Sequence, residues 1–338
     1  MLIIMKKIAT KKQIQNIIII AEEKNYKPHI ISGKDKVSIA ILNNNNEIIN
    51  LSNFLGLDGI EEIIPITKSY KLVSREIKQD NTIVKIGNVC FGDNSMPVIA
   101  GPCAIESKQQ ALEIAEIVKK AGAVIFRGGL FKPRSSPYSF QGLGKNGLKI
   151  LIKIRKETGL AIVTEAMDIE NFNILEEYAD AIQIGARNMQ NFSLLKRAGK
   201  SLKPIILKRG MCATLQEWLM AAEYIINKGN NQIILCERGI RTFVKHSRNT
   251  LDLSVVNTAK QETHLPVIVD PSHAAGIRDQ VIPLALASAA VRPDGLMIEV
   301  HNKPNEALSD GAQSLFPNQF KTLMKKAKAI YSLAGKTN

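Results

Sequence analysis

One segment of the sequence, FRGGLFKPRSSPYSFQGLG, concentrates side chains that suit the binding of an oxygen-rich anion. Arg127, Lys132 and Arg134 follow one another closely, and Ser135 and Ser136 come directly after them. Neither a helical nor a strand period fits this segment, and its glycines and prolines predict a loop. Guanidinium, ammonium and hydroxyl groups are donors that match a phosphate. A solvated basic loop is the alternative, but the Gly and Pro content restricts the directions in which the charges point.

Further cations follow other short apolar segments of the chain. With the loop they make a set of six: Arg127, Lys132, Arg134, Arg187, Lys208 and Arg238. Six cations converging on one place would repel each other unless a ligand with several negative charges joined them. The set therefore predicts a multiply anionic ligand.

Four other residues offer atoms that bind metals: Cys103, His273, Glu299 and Asp310. One sulfur, one imidazole nitrogen and two carboxylate oxygens suit a divalent transition metal better than Mg²⁺ or Ca²⁺. Each residue alone has a simpler interpretation, since Cys103 could be a small buried residue, His273 could hydrogen-bond in a loop, and Asp310 could belong to a turn. Their common position after apolar segments favours a metal site.

The elements that would carry these residues alternate regularly from Met96 onward. Eight short apolar segments alternate with helical ones over about 240 residues, which is the size of a (β/α)₈ TIM barrel of the α/β class. The segments are Pro97–Ala100, Ala123–Phe126, Ala161–Thr164, Ala181–Ile184, Pro204–Leu207, Gln232–Leu235, Pro266–Val269 and Gly295–Ile298. They are rich in Val, Ile, Leu and Ala, as expected of parallel strands covered on both faces. An open doubly wound sheet is the alternative, but GPCAIES is not the glycine-rich fingerprint that usually follows its first strand.

In a barrel, chemistry collects where the strands end. Nearly every ionisable residue that flanks a predicted strand follows it, whereas mostly Ala, Gly, Pro or Asp precede the strands. Cys103, His273 and Glu299 follow strands one, seven and eight, which adjoin when a barrel closes. The pattern therefore predicts one site at the carboxyl ends of the strands.

The first 75 residues have a different pattern, which predicts a small α+β domain. Strands over 2–8, 28–32, 36–42 and 60–66 and helices over 11–24 and 51–57 give the order βαββαβ, a ferredoxin-like arrangement. We expect a linker and a hairpin over residues 76–95 and the barrel over 96–338. No catalytic set is visible in the small domain, so a ligand-binding or docking module and a purely structural appendage both remain open.

Composition excludes several classes of function. The chain has 338 residues and a formal net charge of +14, but the excess is spread along the chain and Trp218 is its only tryptophan. We therefore expect no nucleic-acid partner. No apolar stretch reaches 18 residues, so we expect no membrane span. Four cysteines without close pairing fit a reducing compartment, and we expect a cytoplasmic protein in which Cys90, Cys212 and Cys236 serve in packing.

Seven motifs, in order, closely resemble the type I beta class of 3-deoxy-D-arabino-heptulosonate 7-phosphate (DAHP) synthases. They are AGPCAIES, FRGGLFKPRSSPYSFQGLG, QIGARNMQNF, LKRGM, CERGIRTF, DPSHAAG and IEVH…LSDGAQSL. The resemblance implies a metal-dependent, aldol-like condensation of phosphoenolpyruvate with erythrose 4-phosphate, the first step of the shikimate pathway. The alternative is the related 3-deoxy-D-manno-octulosonate 8-phosphate synthase, which uses arabinose 5-phosphate. The spacing of Lys132 and Arg134 by a single residue favours the heptulosonate enzyme.

The resemblance also implies a role for each motif residue. Cys103, His273, Glu299 and Asp310 would hold one divalent metal ion of the Mn, Zn, Co, Fe or Cd class. Phosphoenolpyruvate would bind Arg127, Lys132, Ala186, Arg187, Lys208 and Arg238. Erythrose 4-phosphate would bind Arg134, Ser135 and Ser136.

Catalysis would depend on Lys132, Cys103 and His273. Lys132, close to anions, should remain protonated and could serve as an acid. A metal-bound water and Glu165 are both candidates for the base that activates water. The resemblance further implies a homotetramer and a tyrosine or phenylalanine effector bound by the small domain.

Overall fold

The structure is a computed structural model that describes residues 1–32, 36–43, 49–64, 68–132, 136 and 138–335. The chain forms two compact units. One comprises Met1–Asp80 together with Glu262–His264, and the other comprises Asn81–Gln261 and Leu265–Asn338. The expected domain end at residue 75 lies five residues before the observed division at Asp80.

The first unit contains a four-stranded antiparallel sheet covered by one helix. Its elements are β1 (Leu2–Met5), α1 (Lys11–Glu23), β2 (Lys27–Ser32), β3 (Val37–Leu42) and β4 (Ile60–Ile64). The strand order is β2-β3-β1-β4. Ile3 pairs with Ile39 in the sheet, and both are fully buried in a core that includes Ile17 and Ala21 of α1. This sheet confirms the predicted ferredoxin-like arrangement.

The predicted helix over Leu51–Leu57 is wrong. Only one turn of 3₁₀ helix forms there, at Leu51–Asn53. The Asn50 side chain accepts a hydrogen bond from the Ser52 amide at 3.0 Å, and Gly56 has a φ of 81° in the left-handed region. The cap starts a helical turn, but the left-handed glycine prevents its continuation.

A hairpin closes the lower end of the second unit. Strands β5 (Val84–Ile86) and β6 (Val89–Phe91) pair around Gly87, whose φ is 59°. Val84, Ile86 and Phe91 are fully buried in one hydrophobic cluster with interior residues of the barrel. The sequence pattern predicted this hairpin, and its apolar face forms the floor of the barrel core.

The barrel is closed and all its strand pairs are parallel, in the order β10-β11-β12-β13-β14-β7-β8-β9. The strands are β7 (Val98–Gly101), β8 (Ile125–Arg127), β9 (Ala161–Ala166), β10 (Ala181–Ile184), β11 (Ile205–Lys208), β12 (Ile233–Glu237), β13 (Val267–Val269) and β14 (Leu296–Glu299). Each lies within two residues of its predicted position at either end. The prediction of a TIM barrel is confirmed.

Helices follow the strands. They are α2 (Lys108–Lys120), α3 (Leu148–Thr158), α4 (Ile169–Tyr178), α5 (Phe192–Ala198), α6 (Leu215–Ile226), α7 (Ser254–Glu262), α8 (Pro271–Ala275), α9 (Arg278–Ala290) and α10 (Pro317–Ala334). Ser107 caps α2, and Thr214 with Glu217 forms a capping box at α6. Among the described residues, no helix is long and apolar enough to cross a membrane.

Candidate active site

The strand ends carry charged side chains that are almost completely buried. Arg127 ends β8, Lys208 ends β11, Glu237 ends β12 and Glu299 ends β14. All four are at most 3% exposed. Because the strands are parallel and the sheet is closed, these ends meet at one rim, which we call the mouth of the barrel.

The predicted metal-ligand set comes together at the mouth. One donor atom from each of Cys103, His273, Glu299 and Asp310 lies within 4.8 Å of the others. His273 Nε2 is 3.4 Å from a Glu299 oxygen and 4.0 Å from an Asp310 oxygen. Cys103 Sγ donates to Asp310 Oδ2 at 3.1 Å. Four donors of this kind at such distances can surround one cation.

Asp270, just before α8, orients the imidazole of His273. Its carboxylate accepts from the His273 amide at 2.9 Å and contacts His273 Nδ1 at 2.7 Å, so that Nε2 remains directed at the cluster. Lys208 pairs with the same carboxylate. Burial opposes ionisation of Asp270, but His273 and Lys208 hold its pKa well below the ordinary value. A carboxylate behind a metal-binding histidine is the usual means of fixing its tautomer.

Glu299 is held in an equally defined position. Arg127 forms an ion pair with one of its oxygens, and Gln313 donates to the other. The Ser272 hydroxyl accepts from the Glu299 amide at 3.0 Å. Burial favours the neutral acid, but His273 and Arg127 lower the pKa of Glu299 below its ordinary value. Glu299 therefore supplies a buried negative charge to the cluster.

Asp310 has a φ of 53°, a left-handed conformation that Asp tolerates better than most residues. Burial opposes its ionisation, yet His273, Cys103 and Arg248 lower its pKa to about 2. Burial and the nearby Glu299 raise the pKa of the Cys103 thiol to about 12. One buried and one partly buried carboxylate, beside a protonated thiol and an imidazole, form an anionic donor set, and this chemistry fits a divalent transition metal.

A cavity of about 320 Å³ opens beside this donor set. Its lining is dominated by cations and includes Lys132, Arg187, Lys208, Arg238, Arg241 and Arg248, with Glu165, Ala186 and the donor residues His273 and Asp310. Arg187 is exposed, whereas Lys132 is 8% exposed and donates to the Cys103 carbonyl at 3.2 Å. Burial lowers the pKa of Lys132, but Cys103 and Glu165 outweigh it, so its pKa lies above the ordinary value.

One glycine permits the close approach of the first two strand ends. A Cβ on Gly101, the last residue of β7, would lie 2.0 Å from the Arg127 carbonyl oxygen. Any side chain there would separate β7 from β8 and move Cys103 away from Arg127. The glycine of the AGPC motif therefore has a packing role in the site.

Sequence reasoning did not assign several residues of the mouth. Arg241, Arg248 and Asn249 line the cavity from the loop between β12 and α7. Asp270, which directly follows β13, was also not assigned its orienting role. The neighbouring arginines of the IRTF and SRNT segments were the only available signal, because nothing in their spacing places that loop over the mouth.

The cation next to Lys208 has a different environment. Arg209 directly follows β11, does not line the cavity and pairs with Glu237 at 3.0 Å and Asp252 at 2.9 Å. Cys212 was expected to serve in packing, but it is exposed. Arg134 and Ser135 lie outside the described residues. Ser136 is exposed, and its hydroxyl accepts from the Tyr138 amide at 3.3 Å.

A closed parallel barrel with a metal-type donor set and a cation-lined cavity at its mouth is the architecture of a TIM-barrel enzyme. Comparison with known families identifies it further. The model of the DAHP synthetase I family matches residues 74–334, and that of the DAHP synthase ferredoxin-like domain matches residues 1–68. The chain belongs to the DAHP synthetase I family.

Individual relatives agree with this assignment. The chain is 45% identical over 335 residues to the phospho-2-dehydro-3-deoxyheptonate aldolase of Thermotoga maritima, which covers 99% of both chains. The crystal structure of that DAHP synthase superposes with a TM-score of 0.78 over 100% of this chain and 99% of the other. A truncated form of the Thermotoga enzyme, 46% identical, covers 80% of this chain with a TM-score of 0.74.

The octulosonate enzymes are more distant. The 2-dehydro-3-deoxyphosphooctonate aldolase of Syntrophotalea carbinolica is 34% identical over 73% of this chain and 95% of its own length. The match leaves more than a quarter of this chain uncovered. The prediction of an enzyme, and of a DAHP synthase in particular, is confirmed.

Proposed function

We propose that this protein condenses phosphoenolpyruvate with erythrose 4-phosphate and water to give 3-deoxy-D-arabino-heptulosonate 7-phosphate and phosphate, at the start of the shikimate pathway. The observation that carries the proposal is the full-length likeness to a DAHP synthase, 45% identical over 99% of the chain. The cation-lined cavity beside a metal-type donor set supports it, because both substrates are phosphate esters and one is an aldehyde.

Phosphoenolpyruvate would occupy the cavity. It carries about three negative charges, and guanidinium forks match its carboxylate and phosphate. Its contacts would be Arg127, Lys132, Ala186, Arg187, Lys208 and Arg238. Of these, Arg127 and Lys208 already neutralise Glu299 and Asp270, whereas exposed Arg187 is available to a ligand from the mouth. Arg134, Ser135 and Ser136 would hold the phosphate of the aldose.

Cys103, His273, Glu299 and Asp310 would hold one divalent ion of the Mn, Zn, Co, Fe or Cd class. When bound, such an ion supplies Lewis-acid polarisation of an aldehyde. The surrounding residues would orient the donors for the ion, since Asp270 fixes the His273 imidazole and Arg127 with Gln313 fixes Glu299.

Lys132 would act as the acid in the carbon–carbon bond-forming step. The double-bond electrons of phosphoenolpyruvate form a bond from its C3 to the aldehyde carbon, and the aldehyde oxygen takes a proton from the Lys132 ammonium. The raised pKa of Lys132 keeps that proton in place until an oxygen of higher basicity develops.

Glu165 would act as the base in the second step. Water adds to the cationic C2, and its proton passes to Glu165. The C2–O bond to phosphate then breaks, phosphate leaves with the bonding electrons, and loss of the remaining hydroxyl proton gives the ketone. Gln183 Nε2 donates to Glu165 Oε2 at 2.9 Å, which holds the carboxylate at the cavity wall.

A paired assay tests the proposal. Purified protein supplied with a divalent metal and phosphoenolpyruvate should release phosphate rapidly with erythrose 4-phosphate and slowly with arabinose 5-phosphate. A preference for arabinose 5-phosphate would indicate the octulosonate synthase instead. Absence of phosphate release with both aldoses would contradict catalysis by this barrel.

The effector, the localisation and the oligomeric state are proposed from the resemblance to the same family. The small domain would bind tyrosine or phenylalanine as an effector, and the protein would be a cytoplasmic homotetramer. The module is small and its core packs between its sheet and α1, which supports docking of the module on another copy. Sedimentation of the full-length protein with and without each amino acid tests both statements.

A further inference from the structure

A second and larger cavity lies away from the mouth, on the outside of the barrel. It has a volume of about 830 Å³, compared with about 320 Å³ for the candidate active site. Its walls are the segment that leads into β7, the carboxyl end of α2 with the turn after it, and one face of α10. We call it the α10 groove. None of its lining residues belongs to the candidate active site.

The floor of the α10 groove is apolar. Met96, Pro97, Val98, Val124 and Met324 contribute to it. Val124 is 37% exposed, which is unusual for an aliphatic residue next to a barrel strand. An apolar floor of this volume is within the range of cavities that enclose small organic ligands, about 300–1,000 Å³.

Among the described residues that line the groove, none is a carboxylate and five are cations: Lys120, Arg292, Lys321, Lys325 and Lys328. Lys120 has a distant partner in Glu116, at 3.7 Å. In the described part of the chain, Lys321, Lys325 and Lys328 form no ion pair within 4 Å, and their spacing of four and three residues places them on one face of α10. The helix therefore presents an unneutralised positive stripe above an apolar floor.

Arg292 is held in place at one end of the groove. Its guanidinium lies over the Tyr331 ring, 4.7 Å from the centroid, and the Tyr331 hydroxyl donates to the Asn94 carbonyl at 2.9 Å. A Cβ on Gly335 would lie 1.6 Å from Arg292 Nη1, so a larger residue there would make the guanidinium shift. A fixed cation beside an aromatic ring is better prepared to bind an anion than a mobile surface lysine.

We propose that the α10 groove is a binding site for an amphipathic organic anion, with an apolar or aromatic body on the floor and a carboxylate, phosphate or sulfonate at the lysine stripe and Arg292. An apolar floor or a basic rim alone is common on protein surfaces. The two together match a molecule that has an apolar body and an anionic group. A second copy of this chain is a poor occupant, because the chain has a net charge of +14 and five cations would face it.

The probe is 8-anilinonaphthalene-1-sulfonate, titrated into the full-length protein and followed by fluorescence and calorimetry. We expect one saturable site that Lys325→Glu weakens at least about fivefold. Lys326→Glu is the matched control, because it makes the same charge change on the next exposed residue of α10, outside the groove lining. It should change the affinity less than about twofold.

Two further variants and a neutral analogue of the probe show where it binds. Arg187→Ala at the mouth should leave its affinity unchanged, whereas Met324→Glu on the floor should abolish the saturable phase. The neutral analogue N-phenyl-1-naphthylamine should bind more weakly and should not respond to Lys325→Glu. Equal effects of Lys325→Glu and Lys326→Glu, loss of binding with Arg187→Ala, or no saturable binding at all would overturn the proposal.

Discussion

The two ends of the barrel use the same eight strands in opposite ways. At the mouth, the strands end in buried charges such as Arg127, Lys208 and Glu299. At the lower end, Phe91 and Ile86 of the hairpin pack against the barrel interior in a cluster that contains no charged residue among its members. Buried charges contribute little net stability, whereas apolar burial contributes about 25 cal/mol per Å². The comparison indicates that the lower end stabilises the fold and the mouth is organised for binding and catalysis.

The ion pairs at the mouth differ among themselves, which sharpens the comparison. Arg209 is satisfied by Glu237 and Asp252 and faces away from the cavity. Lys208, its neighbour, shares Asp270 with His273 of the donor set and lines the cavity. Lys208 is the last residue of β11 and Arg209 directly follows it, so two adjacent cations have different surroundings, one in the cavity lining and one in a separate ion-pair cluster.

The largest effect is expected for the thiol of the donor set. Cys103→Ala removes one of four donors and should lower turnover by on the order of 1,000-fold or more, because the aldehyde loses its polarisation. Metal content, measured by atomic spectrometry after dialysis, should fall in parallel.

Cys212→Ala is the control for the loss of Cys103, since Cys212 is exposed and outside the donor set. Metal-stripped wild-type protein should be inactive and should recover when Mn²⁺ is added. Full activity of the stripped protein or of Cys103→Ala would remove the metal from the mechanism.

A substitution at the lower end of the barrel should reduce the stability of the protein and leave its catalysis unchanged. Phe91→Ala empties a fully buried position and should reduce the free energy of unfolding by about 3–5 kcal/mol. Chemical denaturation measures that loss. The KM values of both substrates should stay within about twofold, because the hairpin is at the opposite end from the cavity.

Leu202→Ala is a useful comparison for Phe91, because Leu202 is 89% exposed and its truncation should leave stability unchanged. A Phe91 variant with normal stability but a large loss of kcat would mean that the two ends of the barrel are not separable.

Much of the barrel could be predicted because its strands are nearly continuous apolar segments bounded by Gly, Pro or charge. Ile205–Lys208, for example, differs from the predicted strand by one residue at each end. The helix over 51–57 could not be decided in the same way, since one helical turn and a short helix have similar sequences and Gly56 selects between them.

The site was predictable by type and less so by geometry. Cys103 and His273 are identified by chemistry and strand position, but the hydrogen bond that His273 Nδ1 donates to Asp270 depends on a short helix after β13. Arg248 lies 3.6 Å from an Asp310 oxygen because its loop returns over the mouth. No local period records such a return, so it could not be predicted.

Different cations at the mouth should bind the two substrates. Arg134→Ala should weaken the aldose by about 2–4 kcal/mol, roughly 30- to 1,000-fold in KM, because a charge-assisted phosphate contact is lost. The KM of phosphoenolpyruvate should change little. Arg187→Ala should show the reverse, and equal losses for both substrates in either variant would contradict this division of the cations.

The smallest effect is expected from the first unit, and its structure determines how the experiment should be made. Residues 68–80 belong to the same compact unit as Glu262–His264, and Tyr70 donates to Glu262 at 2.6 Å. The His264 ring nitrogen lies 2.8 Å from the Leu72 carbonyl. A deletion should therefore remove residues 1–67 and retain 68–80, so that these buried partners are not exposed.

Under the proposed regulation, an effector favours one arrangement of the modules by a coupling free energy of about 1–3 kcal/mol, or roughly 5- to 150-fold in apparent affinity. The full-length protein should lose activity with tyrosine or phenylalanine, and the deletion variant should be active and indifferent to both. Thermal denaturation should show that the shortened barrel is folded. If the full-length protein is itself indifferent to both amino acids, the first unit has no such regulatory role, and the deletion should then alter stability or assembly without altering kcat.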